Sequence, residues 1–103
     1  DDDISSVCAS FNLELKNKII KSIKVAYGGM ASIPKRAKFC EKILLNSSIT
    51  EKTIIEAKEA LEKDFKPISD MRASGKYRIM VAKNLLHKCF LEIEQKKLIR
   101  IDN

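Results

Sequence analysis

The first thirty residues contain two runs in which apolar and polar side chains alternate. Across residues 7–15 every second residue is apolar, and those between are small or polar. Because successive side chains of a strand point to opposite faces, this period of two predicts a half-buried strand. A second alternating run places Ile23, Val25 and Tyr27 on one face, and the polar segment 16–18 separates the runs. The pattern therefore predicts an antiparallel hairpin.

Beyond the hairpin the apolar spacing becomes that of helices. Residues 33–36 predict a short edge strand, and residues 37–45 a short helix. A second helix is predicted from Thr50, whose hydroxyl can accept a first-turn N–H, to about Phe65. The longest helix is predicted over 75–95, because its apolar residues fall in one narrow sector. Those residues are Ile79, Ala82, Leu86, Cys89, Phe90 and Ile93.

These elements predict an α+β fold: a small antiparallel sheet of two to three strands with three helices packed on one face. A length of 103 residues suits one domain, so residues 1–103 are interpreted as a single unit. Because the chain begins without Met, we interpret it as a fragment of a longer protein.

Three apolar residues, Tyr77, Met80 and Leu91, fall on the otherwise polar side of the longest predicted helix. Isolated apolar side chains are common on helix surfaces, so simple exposure is one interpretation. Contact with a neighbouring domain is the other. Arg72 and Arg78 flank the start of this helix, where the helix dipole disfavours positive charge. An interdomain contact or partner carboxylate would explain them, and so would solvent exposure.

The charge balance of 20 Lys and Arg against 14 Asp and Glu gives a net charge of +6. Excess positive charge can bind nucleic acid, but here the lysines are interleaved with acids along the whole chain. No apolar run approaches the roughly 20 residues of a membrane helix. We therefore expect neither a nucleic-acid nor a membrane partner. Three widely spaced cysteines without a C-x-x-C pair are typical of reduced thiols, which favours a cytoplasmic location.

Few residues are arranged for catalysis. His87 is the only histidine and has no cysteine or carboxylate at ligand spacing, so no catalytic residue and no metal site are predicted. Gly28 and Gly29 lack the G-x-G-x-x-G pattern and a directly following helix, so a structural role is favoured over phosphate binding. The acidic residues 1–3 are, from the sequence alone, most simply a frayed terminus.

Four short blocks nevertheless occur in a specific order. They are Asp2-Asp3-Ile4, Tyr27-Gly28-Gly29-Met30-Ala31, Ile33-Pro34 before a helix that Ala37 opens and that contains Glu41 and Leu44, and a P-x-x-D-x-R-x-S-x-x-Y-R block over 67–78 that the segment 81–86 completes. In this order they resemble the C-terminal domain of the FAD-binding subunit of molybdenum hydroxylases, the xanthine dehydrogenase and carbon monoxide dehydrogenase family. The chain looks most like a xanthine dehydrogenase small subunit.

This resemblance implies a non-catalytic domain of a parent oxidoreductase. Such enzymes pass electrons from molybdenum through 2Fe-2S clusters to FAD and NAD+, with molybdopterin and the clusters outside this domain. The implied partners are the N-terminal FAD-binding domain and the molybdenum-binding subunit. Asp2 and Asp3 would lie near the flavin. Interdomain or structural roles are implied for Gly28, Gly29, Arg72, Tyr77 and Arg78.

The fragment alone is expected to bind no cofactor and to be inactive, because the pyrophosphate-binding loops of the family are missing from it. The alternative is a free-standing basic α+β module that binds nucleic acid or protein. It predicts a one-sided basic patch and salt-sensitive binding.

Overall fold

The computed structural model describes residues 8–30, 34–65, 73–96 and 101. Three strands form one antiparallel sheet in the order β1-β2-β3, and three helices complete the fold. The predicted α+β class, sheet and helices are confirmed. The elements are β1 Cys8–Lys16, β2 Ile19–Gly28, β3 Lys35–Arg36, α1 Lys38–Leu44, α2 Glu51–Asp64 and α3 Ala73–Gln95.

A two-residue turn joins β1 to β2. Its residues, Asn17 and Lys18, have φ of 55° and 67°, and Lys16 pairs with Ile19 across it. Two consecutive positive φ angles match the twist of the flanking strands, which allows the tightest hairpin connection although neither residue is glycine. The ladder shifts register after Glu14, a bulge that increases the local twist. Both the predicted hairpin and its polar turn are thus confirmed.

All three helices lie on the same side of the sheet. The inward residues of β1, among them Phe11 and Leu13, are partly buried against the core, while Asn12 and Glu14 on the opposite face are exposed. Of the stripe predicted for the longest helix, Ile79, Ala82, Leu86 and Phe90 are buried, and Cys89 and Ile93 are half-buried. The core consists of Ile20, Ile23, Val25, Tyr27, Ala37, Cys40, Leu44, Ile49, Ile54, Ala57, Ala60, Leu61, Phe65, Ala82, Leu86 and Phe90.

Tyr27 occupies the centre of this core. Its ring makes edge-to-face contacts with Phe11, at 6.0 Å between centroids, and with Phe65, at 5.5 Å. Such T-shaped pairs add about 0.5–1.5 kcal/mol to the burial of the rings themselves. One tyrosine therefore joins the first strand, the second strand and the end of α2.

The edge of β2 that faces away from β1 is completed by short segments. β3 pairs only with Ala26 and Tyr27. One step further along, the Ala37 N–H donates to the Val25 carbonyl at 2.8 Å. The next backbone donor, the Val25 N–H, donates to Glu41 Oε2 at 2.8 Å. A carboxylate from α1 thus substitutes for the strand where β3 ends.

The loop after α1 protects the beginning of the same edge. The Asn46 N–H donates to the Ile20 carbonyl at 2.8 Å, and the Ile20 N–H donates to the Ser47 carbonyl at 3.0 Å. Asn46 has a φ of 64°, a left-handed conformation that asparagine tolerates better than most residues. The backbone groups at both ends of this β2 edge are therefore hydrogen-bonded, and Ile23 lies between the two bonded stretches.

Candidate interdomain site at the glycine end of the sheet

The end of β2 carries the two glycines that the sequence singled out. Gly28 is the last ladder residue and pairs with Cys8, and Gly29 follows with a φ of 87°. Only glycine adopts this left-handed backbone without the steric cost of a Cβ. Gly28 and Gly29 form what we call the glycine turn, in which Gly28 ends the ladder and Gly29 supplies the left-handed backbone.

Arg78 on α3 reaches this turn. Its Nη1 donates to the Gly29 carbonyl at 3.0 Å, and its Nε is buried with no hydrogen-bond partner among the described residues. A guanidinium carries five N–H donors, and an unsatisfied buried one costs about 1–3 kcal/mol. Arg78 thus connects α3 to the glycine turn by a hydrogen bond, and its Nε–H has no acceptor among the described residues.

A second cation lies beside the glycine turn. Lys35 pairs with Tyr27 in the sheet, and its Nζ donates to the Asp64 carbonyl at 2.8 Å. The same ammonium lies 5.6 Å from the centroid of the Phe65 ring, a cation–π contact. A cation at the C-terminal end of α2 also complements the helix dipole.

The apolar stripe of α3, defined as Tyr77, Met80 and Leu91, is exposed, with Met80 at 56%. Residues three and fourteen apart lie on nearly the same side of a helix, so the three face one way, with exposed Asn84 and Lys88 between Met80 and Leu91. Tyr77 directly precedes Arg78, so the N-terminal end of the stripe lies near the glycine end of the sheet. Cationic and exposed apolar groups therefore occur together at this end.

Of the seven residues predicted from the sequence, the structure brings Gly28, Gly29 and Arg78 together. Tyr77 is exposed beside them. Asp2, Asp3 and Arg72 lie outside the described residues. The guanidinium of Arg78 is engaged within the chain through one nitrogen, and a contact with another domain remains a proposal.

Sequence reasoning did not predict the roles of two buried carboxylates. Asp64, at the end of α2, accepts the Phe39 N–H at 2.8 Å and the Cys40 N–H at 2.9 Å. It thereby caps α1, whose own N-cap residue, Ala37, has no side-chain acceptor. An alanine before a helix was the available signal that the cap must come from elsewhere.

Glu41, a residue of the motif block that Ala37 opens, is the second of these carboxylates. Arg36 donates to it twice, from Nε at 2.6 Å and from Nη2 at 2.8 Å, in addition to the bond from Val25. Burial by itself would raise the pKa of Glu41. The hydrogen bonds from the guanidinium and the backbone outweigh burial and hold the pKa below its ordinary value.

The remaining reactive side chains do not form a catalytic arrangement within the described part of the chain. His87 Nδ1 lies 3.2 Å from Lys58 Nζ, so the polar side of α3 meets α2 rather than only solvent. Cys40 and Cys89 are free thiols. Burial raises the pKa of Cys40 to about 12 and that of Cys89 to about 11, which suppresses the reactive thiolate.

Across residues 8–30, 34–65 and 73–96, no cluster of His, Cys, Asp and Glu is placed to hold a metal ion. The helices of the described segments are likewise too short or too polar to cross a membrane.

The order of motifs, the three-stranded sheet and the helices that cover it agree with one protein family. Residues 1–93 match the family described as the CO dehydrogenase flavoprotein C-terminal domain. The chain belongs to this family. As a member, it shares 31% identity over 91 residues with the glyceraldehyde dehydrogenase medium chain of Sulfolobus acidocaldarius. That alignment covers 88% of the chain but only 32% of the relative, so the chain spans about a third of its length.

Solved structures share the fold of this CO dehydrogenase flavoprotein C-terminal domain. Quinoline 2-oxidoreductase from Pseudomonas putida 86 superposes with a TM-score of 0.71 at 22% identity, over 90% of this chain and 33% of that one. Carbon monoxide dehydrogenase from Hydrogenophaga pseudoflava gives a TM-score of 0.64 at 16% identity, over 82% and 35%. At these identities the likeness establishes the fold alone.

Proposed function

We propose that the chain is the C-terminal domain of the FAD-binding subunit of a molybdenum hydroxylase, most similar to a xanthine dehydrogenase. The observation that carries this proposal is the family match across residues 1–93. The curated relative is the medium chain of a glyceraldehyde dehydrogenase, so the family includes enzymes named for aldehydes. The parent oxidoreductase would transfer electrons from molybdenum through 2Fe-2S clusters to FAD and NAD+.

In this role the domain frames the flavin site rather than forming it. The glycine pair ends a strand and turns without a helix directly after it, so the described residues offer no phosphate-binding loop. Arg78 holds the turn and keeps one buried donor for an acceptor outside the described residues. A flavin bound elsewhere in the subunit would supply the redox chemistry.

The apolar stripe of α3 would pack against the N-terminal FAD-binding domain or the molybdenum-binding subunit. Exposed apolar residues aligned on one helix favour a protein contact over solvent. In the intact subunit, Tyr77→Ser with Met80→Ser should lower the FAD retained after gel filtration, measured as visible absorbance per protein. The matched control is Ile55→Ser, which changes an exposed apolar residue on α2. Equal FAD retention in both variants would contradict a role for the stripe.

Asp2 and Asp3 are proposed to lie near the isoalloxazine, as the family resemblance implies. A carboxylate there would disfavour an anionic reduced flavin and lower its reduction potential. In the intact subunit Asp2→Asn should therefore raise the flavin potential, measured by spectroelectrochemical titration. An unchanged potential would remove this role while leaving the framing role intact.

The alternative, a free-standing basic module that binds nucleic acid or protein, has less support. Lysines are exposed on β1, β2, β3 and all three helices, so the positive charge does not form a single patch. The family match gives no independent reason to adopt it.

A further inference from the structure

The middle of the outer β2 edge leaves backbone groups of Ile23 without a partner among the described residues. Both backbone groups of Val25 face this edge, where they meet Ala37 and Glu41. Strand residues two apart direct their N–H and C=O groups to the same side. Ile23 therefore presents both of its groups toward α1, at the position where the chain has already left β3 to begin that helix.

A groove lies over this position. It measures about 570 Å³ and is lined by Ile23, Arg36, Lys38, Phe39, Glu41, Lys42 and Leu45. Two of its apolar residues are unusually exposed for their size, Phe39 at 50% and Leu45 at 43%. We call this depression the α1 groove. It combines exposed apolar side chains with the strand residue Ile23, whose backbone groups lack a partner among the described residues.

The charge of the α1 groove is one-sided. Glu41 is its only acid among the lining residues, and Arg36 neutralises it through two hydrogen bonds. Lys38 and Lys42 are exposed at the same groove, and neither takes part in a salt bridge within the described residues. An acidic ligand would thus meet two available ammonium groups and an amide N–H.

We propose that the α1 groove is a docking site for a short acidic–apolar peptide segment of a partner protein. A carboxylate of the segment would accept from the Ile23 N–H and pair with Lys38 or Lys42. An adjacent apolar side chain would cover Phe39 and Leu45. None of Gly28, Gly29, Arg78 or the apolar stripe lines the α1 groove, so the proposal does not depend on the proposed flavin role.

The test is an amide NMR titration of the 103-residue chain with the probe acetyl-Leu-Glu-Leu-Glu-amide. The amide of Ile23 and those of α1 should shift. The neutral peptide acetyl-Leu-Gln-Leu-Gln-amide should bind about tenfold more weakly, since its side chains cannot pair with the lysines. Shifts confined to other surfaces, no shifts, or equal affinity for both peptides would each overturn the proposal.

Charge reversal provides the matched variants. Lys38→Glu with Lys42→Glu should weaken binding of the acidic probe by about tenfold or more. Lys76→Glu with Lys88→Glu, which reverses two exposed lysines on α3 and changes the net charge equally, should leave it unchanged. An equal loss of affinity in both variants would mean that binding depends on net charge alone, and would contradict a specific site at the α1 groove. Tighter binding of polyuridylic acid than of the peptide at the same amides would assign the lysines to nucleic acid instead.

Discussion

The phenol of Tyr27 donates a 2.7 Å hydrogen bond to the backbone carbonyl of Ala82, which lies 55 residues later in the chain. The bond joins the middle strand to α3 inside the core. Burial raises the pKa of Tyr27, so the phenol stays protonated and remains a donor throughout the physiological range. A polar contact at the centre of the fold thereby fixes the longest helix against the sheet.

Removing this hydroxyl should destabilise the fold with little change in shape. Tyr27→Phe keeps both ring contacts and loses only the bond to Ala82, so the free energy of unfolding should fall by about 1 kcal/mol. This free energy can be measured by unfolding the protein in urea while monitoring its circular dichroism. Tyr77→Phe is the control, since that ring is exposed, and it should leave stability unchanged. Equal effects at the two tyrosines would mean that the buried bond contributes nothing specific.

The cap that α2 supplies to α1 gives a second prediction. Asp64→Ala removes the acceptor for the Phe39 and Cys40 N–H groups, and we expect a loss of about 1–2 kcal/mol in unfolding free energy. Glu59→Ala, an exposed position on the same helix, should have almost no effect. If Asp64→Ala proved as mild as Glu59→Ala, the cross-helix cap would be refuted.

The carboxylate of Glu41 should make stability depend on pH. Its folded-state pKa is lowered, so its contribution is present above the unfolded pKa of about 4.3 and is lost as pH falls through the folded value. At about pH 7 Glu41→Gln should unfold more easily, by about 1–2 kcal/mol. The difference between the two proteins should shrink in acid, as chemical unfolding at several pH values would reveal. A difference independent of pH would exclude the ionised pair as its source.

Two glycines should respond to alanine in opposite directions. Gly29→Ala places a Cβ on a backbone with φ of 87° and should cost about 1 kcal/mol or more. Gly75→Ala, within α3, meets nothing within 4 Å and should stabilise by about 0.5–1 kcal/mol. The thermal unfolding midpoint should therefore fall in Gly29→Ala and rise in Gly75→Ala, relative to the unchanged chain. Shifts of the same sign would contradict the assignment of Gly29 as a conformational requirement.

Much of the fold could be predicted because its strands and helices are encoded by residues close together in the sequence. The alternation through Phe11 and Leu13 predicts a strand, and the hydroxyl of Thr50 does accept the Thr53 N–H as the predicted cap of α2, at 3.1 Å. Second-strand residues 19–21 were not predicted, because the bulge near Glu14 interrupts the period of two.

Contacts between distant residues could not be predicted in this way. Nothing in the local sequence indicates that Asp64 caps a helix 25 residues earlier, or that Glu41 completes an edge 16 residues away. Both depend on how elements pack, which periodicity does not encode. Arg78 and Gly29 were singled out separately, by charge at a helix start and by glycine at a strand end, and only the fold shows their bond.

The central proposal is that this domain supports a flavin site formed elsewhere in the subunit. Its most direct test is a titration of FAD, followed by flavin fluorescence, into this chain alone and into the intact subunit stripped of flavin. We predict stoichiometric binding by the intact subunit and free-flavin fluorescence throughout the titration of the chain alone. Uptake of one equivalent of FAD by the chain alone would contradict the proposal.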